Sequence, residues 1–75
     1  MKKDIDKCKE YRRITGDTIK EIRQYRGISV EALATMIGAN PLTIERIENG
    51  AFAVNIDILY LLCDALNCRI EINAL

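Results

Sequence analysis

The sequence contains no histidine, no tryptophan and only one proline, and neither sign of charge dominates: 11 lysines and arginines stand against 11 aspartates and glutamates. Each absence removes a class of function. Without an imidazole, the usual activator of a nucleophilic cysteine is missing. Cys8, Cys63 and Cys68 are an odd set, and four residues between the last two match no zinc-site spacing. The chain is therefore expected to be no enzyme and to hold no metal or cofactor, its thiols acting as small hydrophobes. No apolar run approaches the ~18 residues of a membrane span. Met1 is followed by Lys2, Lys3, Asp4 and Asp6 rather than by a secretory pattern, so a cytoplasmic location is expected. The neutral balance also argues against strong non-specific attraction to nucleic acid.

What is present is a chain of 75 residues, 49% hydrophobic and 29% charged, which is the profile of one small folded domain. At this length only about 60% of the unfolded surface is buried, so a binding module is expected ahead of a substrate cleft.

Gly27, Gly38 and Gly50 each follow an apolar-periodic segment, and the pattern predicts four helices. The first runs from Thr15 or Thr18 to Arg26 with Ile19 and Ile22 inward; Thr18 and Glu21 read as a capping box. The second is capped by Ser29, carries Glu31 in its first turn and buries Leu33, Ala34 and Ile37. The third begins with Asn40 as cap and Pro41 at the first helical position, where a missing N–H costs nothing, and buries Ile44 and Ile47. The fourth opens at Asn55 with Asp57 in its first turn, turns Ile58, Leu59, Leu62, Ala65 and Leu66 inward, and breaks at Asn67.

The flanks read differently. Residues 1–13 carry Lys2, Lys3, Lys7, Lys9, Arg12 and Arg13 around the apolar Ile5, Cys8 and Tyr11, which fits either an extra helix or a basic arm. Cys68, Arg69, Ile70, Glu71 and Ile72 alternate apolar and charged with the period of a strand. The expected architecture is all-α: a bundle of four to five helices over residues 14–67, preceded by residues 1–13 and followed by a short strand and tail over 68–75.

The informative stretch is Val30 to Ile47. Small Ala34 lets the third helix cross the second closely, Gly38-Ala39-Asn40 forms the turn, and Ile44 and Ile47 lock onto Leu33 and Ile37. The outer face of the third helix stays free, an arrangement that reads as a helix-turn-helix.

Across residues 14–67 the sequence resembles the Cro/lambda-repressor-like, or XRE-type, helix-turn-helix family. The resemblance rests on Ile22-Arg23, Gly27-Ile28-Ser29, Glu31-Ala32-Leu33-Ala34, the run Thr43 to Gly50, and Leu59, Leu62 and Ala65-Leu66. It implies a transcription regulator that binds double-stranded operator DNA as a dimer, and a partly buried ion pair between Arg23 and Glu48. On the third helix, Asn40, Leu42, Thr43 and Arg46 are the candidates for base contact, Thr43 by hydrogen bonding and Leu42 against a thymine methyl. Ser29 and Asn55 mark helix starts whose N–H groups face phosphate. Two departures from the family pattern thin the phosphate clamp. Val30 stands where glutamine is usual, and Ala51-Phe52-Ala53-Val54 replaces a loop that commonly carries lysine or arginine.

Two partner expectations follow. The segment Cys68–Ile72 suits self-pairing: antiparallel about Ile70, Arg69 of one copy meets Glu71 of the other while Cys68 faces Ile72. The small size and terminal strand also look like an arrangement seen in some antitoxins of this family, which implies a toxin as protein partner. The alternative is a protein-interaction module on the same fold, in which Val30, Pro41, Leu42 and Ala51–Val54 form one apolar patch.

Overall fold

The computed structural model describes residues 4–75 as four helices: α1 (Ile5–Tyr25), α2 (Val30–Ile37), α3 (Pro41–Glu48) and α4 (Ile56–Leu66). Three of the four starts lie where the sequence puts them, each made by a side chain that satisfies an otherwise orphaned N–H. Ser29 Oγ accepts from the Ala32 amide at 3.0 Å, Asn40 Oδ1 from Leu42 at 2.8 Å, and Asn55 Oδ1 from Ile58 at 2.9 Å.

α1 departs from expectation. It begins ten residues before Thr15, capped by Asp4, whose carboxylate accepts from the Lys7 amide at 3.0 Å, and it runs through position 13 without a break. Thr18 is no cap; its hydroxyl donates to the Ile14 carbonyl at 2.9 Å inside the helix. Lys7, Lys9, Arg12 and Arg13 are therefore helical rather than an arm, and Arg13 pairs with Asp17 at 3.3 Å. Lys2 and Lys3 lie outside the described residues. The early part of the helix meets the rest of the fold where Gly50 lies against the Arg13 backbone, and Cys8, Tyr11, Arg12 and Thr15 share a cavity with Phe52, Ala53, Val54 and Leu59.

Two glycines bring α1 and the end of α3 together backbone to backbone. Gly16 is buried in mid-helix, where a Cβ would lie 2.6 Å from the Glu48 carbonyl oxygen and closer still to that of Ile47. Gly50 takes the left-handed conformation (φ 67°) that lets the Ala51 amide donate to Arg46 at 2.9 Å, and a Cβ there would come within 2.9 Å of the Arg13 backbone.

The core is built from Ile19, Leu33, Ala34, Ile44, Ile47, Leu62 and Leu66, with Ile22, Val30, Ile37, Ile58, Leu59 and Ala65 packed around it. α2 packs on α3 and α4, and α1 packs on α3 and α4. Asn67, in the left-handed region at φ 54°, ends α4. Arg26 then ties that end to α1, with Nε donating to the Leu66 carbonyl at 3.1 Å and Nη2 to that of Asn67 at 3.2 Å. Among the described residues no helix is long and apolar enough to cross a membrane.

The strand expected over Cys68–Ile72 is not formed in the single chain. A strand exists only by pairing, and no second extended segment among the described residues offers a ladder. Cys68 packs against the edge of the core, while Arg69 and Glu71 pair with each other at 2.6 Å within the chain.

Candidate nucleic-acid interface

α3 presents two faces. Ile44, Ile47 and Glu48 are buried; Leu42, Glu45 and Arg46 are exposed, and Thr43 is half-buried at the boundary. Asn40 spends its Oδ1 on the cap and keeps its amide NH2 free to donate. Ser29 and Asn55 do the same duty at α2 and α4, so three of the six candidate contact residues have a structural task that fixes where a helix start points.

The orientation of α3 is set at its far end. Arg23 and Glu48, 8% and 5% exposed, meet in a two-pronged pair: Nε donates to Oε2 at 2.6 Å and Nη2 to Oε1 at 3.0 Å. Nη1 donates to the Ile28 carbonyl at 2.9 Å, so one guanidinium joins α1, the loop before α2 and the last turn of α3. The hydrogen bond to Glu48 raises the pKa of Arg23 above that of an ordinary arginine against the opposing effect of burial, and the charges of Glu48 and Glu31 add to it. The Ile28 carbonyl and the role of Arg26 carry no signal in the sequence pattern, because both depend on where a distant helix ends.

The electrostatics of this face are mixed. Arg46 is the one cation on α3, and Glu45 stands beside it. Glu31 and Asp57 occupy the first turns of α2 and α4. There they favour the helix dipole and oppose a phosphate at the same N–H groups.

The single apolar patch of the alternative reading is divided. Val30 packs against the core, and Phe52, Ala53 and Val54 line a cavity of ~330 Å³ closed on its other side by α1. Pro41 and Leu42 remain exposed on α3.

Comparison with known proteins gives two findings. The family model described as Helix-turn-helix matches residues 19–73. The crystal structure of the restriction-modification controller protein C.AhdI from Aeromonas hydrophila is similar at a TM-score of 0.71, with 27% identity over 73% of this chain and 83% of that one. No curated protein matches. Residues 5–18 of α1 precede the range of the family model.

Proposed function

Because this chain belongs to the XRE-type helix-turn-helix family of DNA-binding transcription regulators, with the family pattern spanning residues 19–73, we propose that it acts as a homodimer seated on a palindromic operator. The observation that carries this reading is α3 itself: a short helix whose inner side is locked by Ile44, Ile47 and the Arg23–Glu48 pair, and whose outer side offers Leu42, Thr43 and Arg46. In this reading Thr43 and Arg46 meet base edges or phosphate, Leu42 meets a thymine methyl, and the Asn40 amide donates to the backbone. The first-turn amides behind Ser29 and Asn55 approach phosphate.

The dimer is supported by an uncovered apolar face. Ile56, Tyr60 and Leu61 are exposed on α4, and Ile72 on the segment that follows it. Two copies paired through Ile70 would exchange their two internal Arg69–Glu71 pairs for two pairs between chains and cover part of this surface. The two recognition helices would then address half-sites about one DNA turn, ~34 Å, apart. Regulation by occupying a promoter is the repressor form of this reading. The likeness to a restriction-modification controller supports a regulator over an antitoxin bound to a toxin.

The test is a titration of the full chain against duplex DNA from upstream of its own coding region at several salt concentrations. Protection of two symmetric half-sites with saturable affinity is expected. Equal weak binding to every sequence, or none at low salt, would overturn the proposal.

A further inference from the structure

Cys63 and Cys68 stand at the two ends of the turn that closes α4. The Cys68 amide donates to the Cys63 carbonyl at 2.9 Å, with left-handed Asn67 between them. A direct bond between the main chains of the two residues holds their Cα atoms within roughly 7 Å, the span a disulfide can bridge. A contact between the side chains at these two positions commonly accompanies such a cap. Both cysteines are free.

Their environments differ in a useful way. Cys63 is buried, its thiol pushed up to about 11 by burial first and then by the neighbouring Cys68 thiol. Cys68 is half-buried and lines a surface pocket with Glu21, Ile22, Tyr25 and Arg26. Arg26, whose guanidinium donates to the Leu66 and Asn67 carbonyls, belongs to the same pocket and braces the same cap. Cys8 belongs to the other cavity, on the first half of α1.

We propose that Cys63 and Cys68 are an oxidative modification site, a dithiol that hydrogen peroxide converts to an intrachain disulfide across the cap of α4. Cys68, the reachable sulfur, attacks one peroxide oxygen as thiolate. The O–O bond breaks, the departing hydroxide takes a proton to become water, and Cys68 is left as a sulfenic acid. The Cys63 sulfur then attacks the Cys68 sulfur; the S–O bond breaks, and the leaving hydroxide takes the Cys63 proton as a second water. Two thiols are oxidised and one peroxide is reduced. Burial holds the Cys63 thiol above the ordinary cysteine range, which slows this second step. The product fixes the point at which the C-terminal segment leaves the helix, whether or not that segment pairs with a second copy.

The experiment uses the full chain carrying Cys8→Ala, treated with hydrogen peroxide, alkylated and cleaved after Arg46 and Arg69. The expected result is a 47–69 peptide lighter by two hydrogens with neither cysteine alkylated, reverting to two alkylated thiols after dithiothreitol. The further variant Cys63→Ala should accumulate a sulfenic acid on Cys68 that dimedone traps. Two thiols still open to alkylation after peroxide, or a bond joining Cys68 of two chains, would overturn the proposal. So would oxidation as fast in urea-unfolded chain as in folded chain, since the cap would then contribute nothing; the same comparison separates loss of folding from loss of chemistry.

Discussion

At the scale of single residues, the fold hangs on groups that cannot be exchanged one at a time. Removing either member of the Arg23–Glu48 pair strands a buried charge. Arg23→Ala and Glu48→Ala are each expected to cost ~3 kcal/mol in denaturant melts, and the double variant clearly less than their sum. Additive losses below a kilocalorie would mean the pair is solvated. Gly16→Ala drives a methyl group into the carbonyls of Ile47 and Glu48, backbone atoms with nowhere to go. The expected loss is ~3 kcal/mol or more, at the upper end for overpacking, read as a drop in Tm. Cys63 supplies a pH dependence. Its thiol, raised from 9.0 to about 11, favours the folded state while protonated, so that contribution is complete below pH 9 and is lost as pH rises toward 11. The loss should be ~2 kcal/mol and should vanish in Cys63→Ala. Arg23 and Glu48 are legible in the sequence through family resemblance. Gly16 is not, because a glycine inside a helical pattern reads as a weakness until the helix that crosses it is known.

The elements divide along the same line. α2, α3 and α4 announce themselves through Ser29, Asn40-Pro41 and Asn55, since a cap is a local device that needs no distant partner. α1 conceals its true start because Ile5, Cys8 and Tyr11 make too narrow a stripe to announce a helix alone; its meeting with Gly50, through the Arg13 backbone, is a tertiary contact that no local pattern shows. The loop that follows looks, in sequence, like a missing phosphate clamp, and in the fold it lines a cavity shared with the first half of α1. For α3, Asn40→Ala should cost ~1 kcal/mol as a lost cap. Thr43→Ala and Arg46→Ala should leave the melting curve within about 0.5 kcal/mol while weakening operator preference by ~10-fold or more, measured by footprinting. With one Arg46 per copy, its loss from a dimer should reduce the slope of log affinity against log salt by about 2. An unchanged slope would take Arg46 away from phosphate.

At the scale of the whole molecule, what the sequence suggests and one chain cannot supply is the second copy. In the proposed homodimer the period-two pattern of Cys68–Ile72 would gain a neighbouring backbone, and the exposed Ile56, Tyr60 and Leu61 would gain cover. Ile70→Pro removes a ladder N–H, and truncation after Asn67 removes the segment; both should sediment as monomers and lose the two-half-site footprint. If both remain dimeric, the ribbon is not the interface. The backbone-to-backbone seat of α3 on α1 bears on how such a molecule reads its site. With no side chain between Gly16 and the Ile47 and Glu48 carbonyls, or between Gly50 and Arg13, the joint has almost no compliance, and α3 cannot tilt to accommodate an imperfect groove. Misfit must then be absorbed by the DNA. Operators would be sorted partly by how readily their central, untouched base pairs bend and twist, so that the stiffness of the protein becomes a means of sensing the flexibility of the duplex.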